Sequence, residues 1–206
     1  MQTMIDQDLL GRDIADEAVL RAMAKVPRHE FVLERHRERA YDDVALPIEE
    51  GQTISQPYIV ALMSQLAELK SGARVLEVGT GSGYQAAVLA ELGADVYSIE
   101  IVEALATSAR LRLAKLGYRV HVRHGDAYAG WPEHAPFDAI LITAAPPVIP
   151  EPLPRQLKIG GKLIAPVGAA TQDLIVITRH AEHAFETRTV IAVQFVPMTG
   201  RAQRQN

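Results

Sequence analysis

From Ala73 onward, short apolar runs take turns with stretches of helical spacing, and that alternation narrows the folds open to the chain more than any other feature. In order, the segments read ARVLEVG, YQAAVLAEL, ADVYSIE, VEALATSARLRLAKLG, YRVHVRHG, FDAILITAA, LPRQLKIG and GGKLIAPVG. Strand and helix signals repeated in this way predict an α/β fold, a parallel sheet wound on both faces by helices. Its crossovers should be right-handed. Two further apolar runs, DLIVITR and TRTVIAVQFV, stand too close together for another crossover helix, so an antiparallel pair is expected at the C-terminal end.

The first part of the chain has a different rhythm. Ile14, Val19, Leu20 and Met23 recur at helical spacing up to Lys25, with Pro27 as the stop. A second helix is predicted over His29 to Ala40. The stretch YDDVALPIEEGQTISQP is rich in turn formers and acids and fits neither helix nor strand. Pro57 then opens a helix carrying Ile59, Val60, Met63, Leu66 and Leu69 along one side. The expected organisation is an N-terminal helical lobe over 1–70 with a loop at its end and an α/β core over 71–206. A length of 206 residues suits one compact domain containing both.

Composition removes several classes of function. The chain has no cysteine, so thiolate catalysis and disulfides are outside its chemistry. Seven histidines form no HExxH or similar spacing, and no metal is expected. A formal net charge of −4 argues against broad nucleic-acid or anionic-membrane binding. The N-terminal MQTMIDQDLLGRDIADE has acids where an export signal needs bases and an apolar core. With no long apolar run either, a cytoplasmic, monomeric protein is expected.

The chemistry is concentrated at successive strand ends. VLEVGTGSGY places Gly79, Gly81 and Gly83 just after a strand, where glycine permits a sharp bend and close approach of a ligand to the backbone. A helix starting near Ser82 would aim its first amides at that ligand. The dinucleotide fingerprint GxGxxG requires a third glycine where this chain has Tyr84, which disfavours a nicotinamide dehydrogenase. Glu77 can face the charged part of a ligand or pair with local amides. Glu100 ends the next strand and suits the two hydroxyls of an adenosine ribose. Asp126 ends the third and can receive an adenine amino group beside the Ala127 amide, while also serving as a helix cap. Asp138, at the opposite end of its strand, reads as structural, and Thr143 with the following AAPP lies on the ligand side.

Together, VLEVGTGSGYQAAVLA, Glu100, GDAYAGWPEHAPFDAILITAAPPVIP, LKIGGKLIAPVG and FVPMTG resemble the Rossmann-like class I methyltransferase fold in its protein-L-isoaspartate O-methyltransferase form. DVALPIEEGQTISQPYIVALM is still more specific for that family, and the resemblance runs from about Asp13 to Gly200. It implies a seven-stranded sheet with a modified order of the last strands. It also implies S-adenosyl-L-methionine as donor and the free carboxylate of L-isoaspartyl residues in aged proteins as acceptor. Carried over residue by residue, Ser55 is the catalytic contact, with Gln52, Thr53, Ile54, Val196, Pro197, Met198 and Thr199 around the substrate. Glu77, Gly79, Thr80, Gly81, Ser82, Gly83, Glu100, Ile101, Asp126, Ala127, Thr143 and Ala144 surround the donor. Where the family often has glycine after LPI, this chain has Glu49, then Glu50.

Ser55 can also cap the helix opened by Pro57. No histidine and acid pair is placed by the motif to activate it as a nucleophile. None is needed, because a carboxylate is already ionised at neutral pH. A small-molecule or nucleic-acid methyltransferase would use the same strand ends but would leave GQTIS unexplained.

Overall fold

The computed structural model describes residues 1–204, so the last two positions of the predicted core segment lie outside the described residues. Met4–Leu9 form one π-helical turn. Helix α1 (Glu17–Lys25) follows, capped by Asp16, whose carboxylate accepts the amides of Ala18 and Val19 at 2.8 and 3.2 Å. It starts later than the spacing predicted, and Ile14 is buried in the loop ahead of it.

The helix expected over His29 to Ala40 does not form. Two 3-10 segments, Arg28–Glu30 and Glu34–Arg39, take its place. The reason lies in Arg28, which turns inward and donates from Nε to the Ala40 carbonyl at 2.7 Å, bending the segment back on itself. Glu34–Arg39 also buries no residue, so nothing would anchor an α-helical face there.

The turn-rich stretch becomes a small hairpin in which β1 (Leu46–Pro47) pairs antiparallel with β2 (Thr53–Ile54). Its tip needs two left-handed residues, Glu50 at φ 57° and Gly51 at φ 66°. Helix α2 (Pro57–Leu66) begins on its proline as predicted, since Pro has no amide to lose at that position.

The alternating part of the chain forms β3 (Arg74–Val78), α3 (Tyr84–Glu91), β4 (Asp95–Glu100), α4 (Glu103–Lys115), β5 (Val120–His124), β6 (Phe137–Ile142), the short α5 (Pro152–Arg155), β7 (Leu157–Val167), β8 (Gln172–Ala181) and β9 (Ala184–Val193). All seven strands from β3 onward join one sheet in the order β5-β4-β3-β6-β7-β8-β9. The first five are parallel. β8 runs antiparallel to β7 and β9 antiparallel to β8, which is the late hairpin expected from DLIVITR and TRTVIAVQFV. LPRQLKIG and GGKLIAPVG, read as separate segments, instead give α5 and a single long strand whose register against β6 shifts between Phe137 and Ala139.

Residues of β3 alternate between two apolar layers. Val75 packs with α1, α2 and α3, whereas Leu76 and Val78 pack with Ile140, Ile142 and Leu163 on the other face. Both faces are covered, so the strand reads as a continuous apolar run, each large side chain contributing about 1.5–3 kcal/mol by burial. Glu77 is the interruption. Because β3 lies between β4 and β6, the chain leaves it in opposite directions, opening a crevice above the strand ends at that point.

Candidate active site

The crevice is floored by the glycine turn. Gly79 has φ 98° and Gly81 φ 51°. A Cβ on Gly79 would lie 2.6 Å from Thr143 Oγ1, so both conformation and space demand glycine there. Helix α3 starts at Tyr84, two residues later than read from the sequence, with Gly83 in the left-handed capping position. Gly79 donates to the Ile99 carbonyl at 2.8 Å. Thr143 binds back to the carbonyls of Val78 and Gly79 through Oγ1 at 3.0 and 2.5 Å. Those bonds tie the ends of β3, β4 and β6 into one rim.

Two acids sit behind that rim. Glu100 accepts the Gly81 amide on Oε2 at 2.8 Å and the Val102 amide on Oε1 at 3.0 Å, and each oxygen keeps a further lone pair for a ligand hydroxyl. Glu77 is fully buried. Its Oε2 accepts the Ser98 hydroxyl in a short bond, and Thr80 donates in turn to Ser98 at 2.6 Å. Burial holds the Glu77 carboxyl up at about 8, with the Ser98 bond pulling it down, the charge of Glu100 pushing it further up and the nearby Ala86 amide lowering it slightly. Its Oε1 completes no hydrogen bond among the described residues. Glu100, with lone pairs left free beside a glycine-floored cleft, suits a ligand carrying a sugar, as S-adenosyl-L-methionine does.

The third strand end differs from expectation in detail. Gly125 and Ala127 line the cleft, but Asp126 does not. Its Oδ1 caps the short turn at the Tyr128 amide, 2.9 Å away, and its Oδ2 accepts the Arg201 amide, also at 2.9 Å. Gly83 is likewise set back from the cleft, packed toward Leu113 of α4. Every other predicted donor residue lines it, including Thr80, Ser82, Ile101, Thr143 and Ala144.

Opposite the glycine turn stand the hairpin and the C-terminal segment. Gln52, Thr53, Ile54 and Ser55 face Val196, Pro197, Met198 and Thr199 across the same cleft. The latter are held by backbone bonds, Ala145 N to Val196 O at 2.8 Å and Met198 N to Ala145 O at 2.7 Å. Gln172 clamps Phe195 from both sides, accepting its amide at 2.6 Å and donating to its carbonyl at 3.1 Å. Ser55 does not cap α2. That part is taken by Asp43, which accepts the Tyr58 amide at 2.9 Å and the Gln56 side chain at 2.6 Å. Among the described residues the Ser55 hydroxyl makes no hydrogen bond, and its carbonyl accepts from Arg28 Nη2 at 2.7 Å.

Sequence reasoning missed Val60, Val78, Tyr84, Gln85, Ile99, Val102 and Gly125, which complete the cleft wall. Tyr84 and Gln85 open α3 directly above the turn, so a helix-start rule would have found them. It also missed a second groove that shares Thr53, Ser55, Thr143 and Val196 with the first and extends past Tyr58 toward the end of β9. Arg12 borders this groove, its guanidinium 3.3 Å from the Tyr58 ring centre and paired with Asp43 at 3.2 Å. Among the described residues, no cluster of three His, Asp or Glu is placed to hold a metal, and no helix is long and apolar enough to cross a membrane.

A family model described as protein-L-isoaspartate(D-aspartate) O-methyltransferase matches residues 1–203. A protein-L-isoaspartate O-methyltransferase of Gloeobacter violaceus is 56% identical over 199 residues, covering 95% of this chain and 97% of that one. One from Polaromonas is 57% identical over 93% of this chain and 92% of its own. A solved protein-L-isoaspartate O-methyltransferase superposes with a TM-score of 0.89 at 28% identity, covering 98% of this chain and 67% of that chain. A beta-aspartate methyltransferase from Plasmodium falciparum, solved with S-adenosyl-L-homocysteine, gives 0.83 at 27% identity, covering 96% and 97%. On a match that runs through both the glycine turn and the facing hairpin, the chain belongs to the protein-L-isoaspartate(D-aspartate) O-methyltransferase family.

Proposed function

We propose that the chain methylates the free carboxylate of L-isoaspartyl residues in damaged proteins and peptides. The observation that carries this reading is one continuous cleft with the glycine turn and Glu100 on one wall and Gln52 to Ser55 on the other. When bound, S-adenosyl-L-methionine supplies an electrophilic methyl group and departs as S-adenosyl-L-homocysteine. Glu100 holds the ribose hydroxyls with the lone pairs that Gly81 and Val102 leave free. Glu77 lies buried beneath the place assigned to the methionine portion, and Gly125 and Ala127 form the wall assigned to adenine. Asp126 supports that wall from behind, holding Arg201.

The acceptor carboxylate arrives ionised, so this chain has no proton to remove from it. Its task is alignment: the oxygen must lie in line behind the methyl carbon, about 3–3.5 Å away, with water excluded. The Ser55 hydroxyl donates to the carboxylate and fixes that line. A strong bond here would favour the anion over the less charged transition state, and a single neutral hydroxyl meets the requirement. The second groove receives the peptide flanking the acceptor, against the C-terminal end of β9. Since one chain furnishes both walls of the cleft, a monomer suffices.

The test is transfer of labelled methyl from S-adenosyl-L-methionine to an isoaspartyl peptide beside the same peptide with normal aspartate. Transfer to the isoaspartyl form alone is expected. Equal labelling of both, or of neither with donor binding intact, would overturn the acceptor assignment.

A further inference from the structure

The cleft does not absorb one buried ionic group that touches it from outside. Arg28 is fully buried, and no carboxylate lies within ion-pair distance of it among the described residues. Its Nε donates to the Ala40 carbonyl and its Nη2 to the Ser55 carbonyl, both at 2.7 Å. Its Nη1 completes no hydrogen bond among the described residues, and its guanidinium carbon lies 4.7 Å from the centre of the Tyr84 ring. Burial lowers its pKa.

For stability alone this is a poor use of the space. A buried cation without a counter-ion costs several kcal/mol, and an apolar side chain of similar volume generally packs there at less cost. What an apolar residue cannot do is reach three separate segments at once. The planar fork of arginine gives two donors in fixed directions and a face that stacks on an aromatic ring. Here those features join the bend at Ala40, the backbone of the acceptor serine and the first residue of the helix that follows the glycine turn.

We infer that Arg28 is a positioning residue for methyl transfer, setting the Ser55 backbone against Tyr84 so that the serine hydroxyl and the donor turn keep one separation. The inference rests on the reading of Ser55 as the acceptor contact. In-line transfer is sensitive to such a separation, and a misplacement of about 1 Å can lower a rate by about 100-fold. Donor affinity has no such dependence on Arg28, because Glu77, Glu100 and the turn are held by their own bonds.

The experiment compares Arg28→Lys, Arg28→Gln and Ser55→Ala, singly and combined, using labelled methyl transfer to an isoaspartyl peptide, calorimetric donor binding and thermal unfolding. Lysine keeps the charge and glutamine keeps one donor, but neither spans both carbonyls and the ring. We expect kcat to fall about tenfold or more in each Arg28 variant while donor Kd stays within about twofold. In the Ser55→Ala background the Arg28 effect should shrink to about twofold or less, as it must for a residue acting through that serine. A full multiplicative loss in that background, a parallel loss of donor affinity, or failure of both Arg28 variants to fold would overturn the proposal and leave Arg28 a core strut. If Ser55→Ala alone left kcat unchanged, the reading of Ser55 would fail. If Ser55→Ala lowered kcat and Arg28→Lys did not, only the role of Arg28 would fall.

Discussion

The amide of Gly81 donates to Glu100 Oε2 at 2.8 Å, so the acid at the end of β4 holds the shape of a turn that follows β3. One carboxylate therefore does two things, orienting the glycine backbone and facing the place assigned to ribose. Replacing Glu100 by Ala should weaken donor binding by about 10- to 100-fold, the range for losing charge-assisted hydrogen bonds. Gln, which keeps one acceptor oxygen, should lose less. Titration calorimetry with S-adenosyl-L-homocysteine measures both, and an unchanged Kd in the Ala variant would contradict the role.

Glu77 makes stability depend on pH in a definite direction. Its folded carboxyl titrates near 8 against a reference of 4.5. Below the reference value the group is neutral in both states and carries no penalty. Between the two values the unfolded chain has released a proton that the folded protein retains, so stability falls as pH rises. Above about 8 the penalty is constant. Glu77→Gln should remove this slope, its melting temperature gaining on the parent between about pH 5 and pH 8. Identical pH profiles for the two proteins would show that the carboxyl is not held neutral.

Glu50 sits at φ 57° at the tip of the hairpin, a region that costs a residue with a side chain about 1–2 kcal/mol. Asparagine tolerates that conformation without the backbone entropy of glycine. Glu50→Asn is expected to stabilise the protein by about 0.5–1 kcal/mol by denaturant titration. Glu50 does not line the cleft, so methyl transfer should change little. Destabilisation by the same change would mean that the Glu50 side chain holds the tip.

Gly200 has φ 82°, and a Cβ there would stand 2.6 Å from Asp126 Oδ2 and 2.7 Å from Ile101 Cδ1. Gly200→Ala must displace the bond from the Arg201 amide to Asp126 or move Ile101, which lines the cleft. Faster hydrogen exchange over residues 195–201 and weaker donor binding are expected together. Loosening of the segment without any change in donor affinity would separate the tail from the donor wall.

Much of this was legible from the chain. The parallel strands announced themselves because burial on both faces gives unbroken apolar runs, and Pro57 and the glycine turn marked helix starts by backbone restriction alone. The segment from His29 to Ala40 was misread because its shape is set by Arg28 reaching Ala40, a contact that local spacing does not encode. The cap that the strand-end position of Asp126 allowed is present at Tyr128, while the bond its second oxygen accepts from Arg201, 75 positions away, has no local signal. Ser55 was read as a possible cap, and Asp43, on the far side of the hairpin, supplies the cap instead. Each of these misreadings turns on a side chain meeting backbone from a distant or folded-back segment.

The C-terminal border of the cleft also has a consequence for how the protein comes into being. Ala145 holds Val196 and Met198 by backbone bonds, and Gln172 holds Phe195 at both its amide and its carbonyl. A growing chain can therefore shape the donor turn once β6 has emerged, yet the C-terminal part of the opposite wall is missing until residues 196–199 follow. On this reading methylating competence waits for the whole sheet, whose last strand ends at Val193.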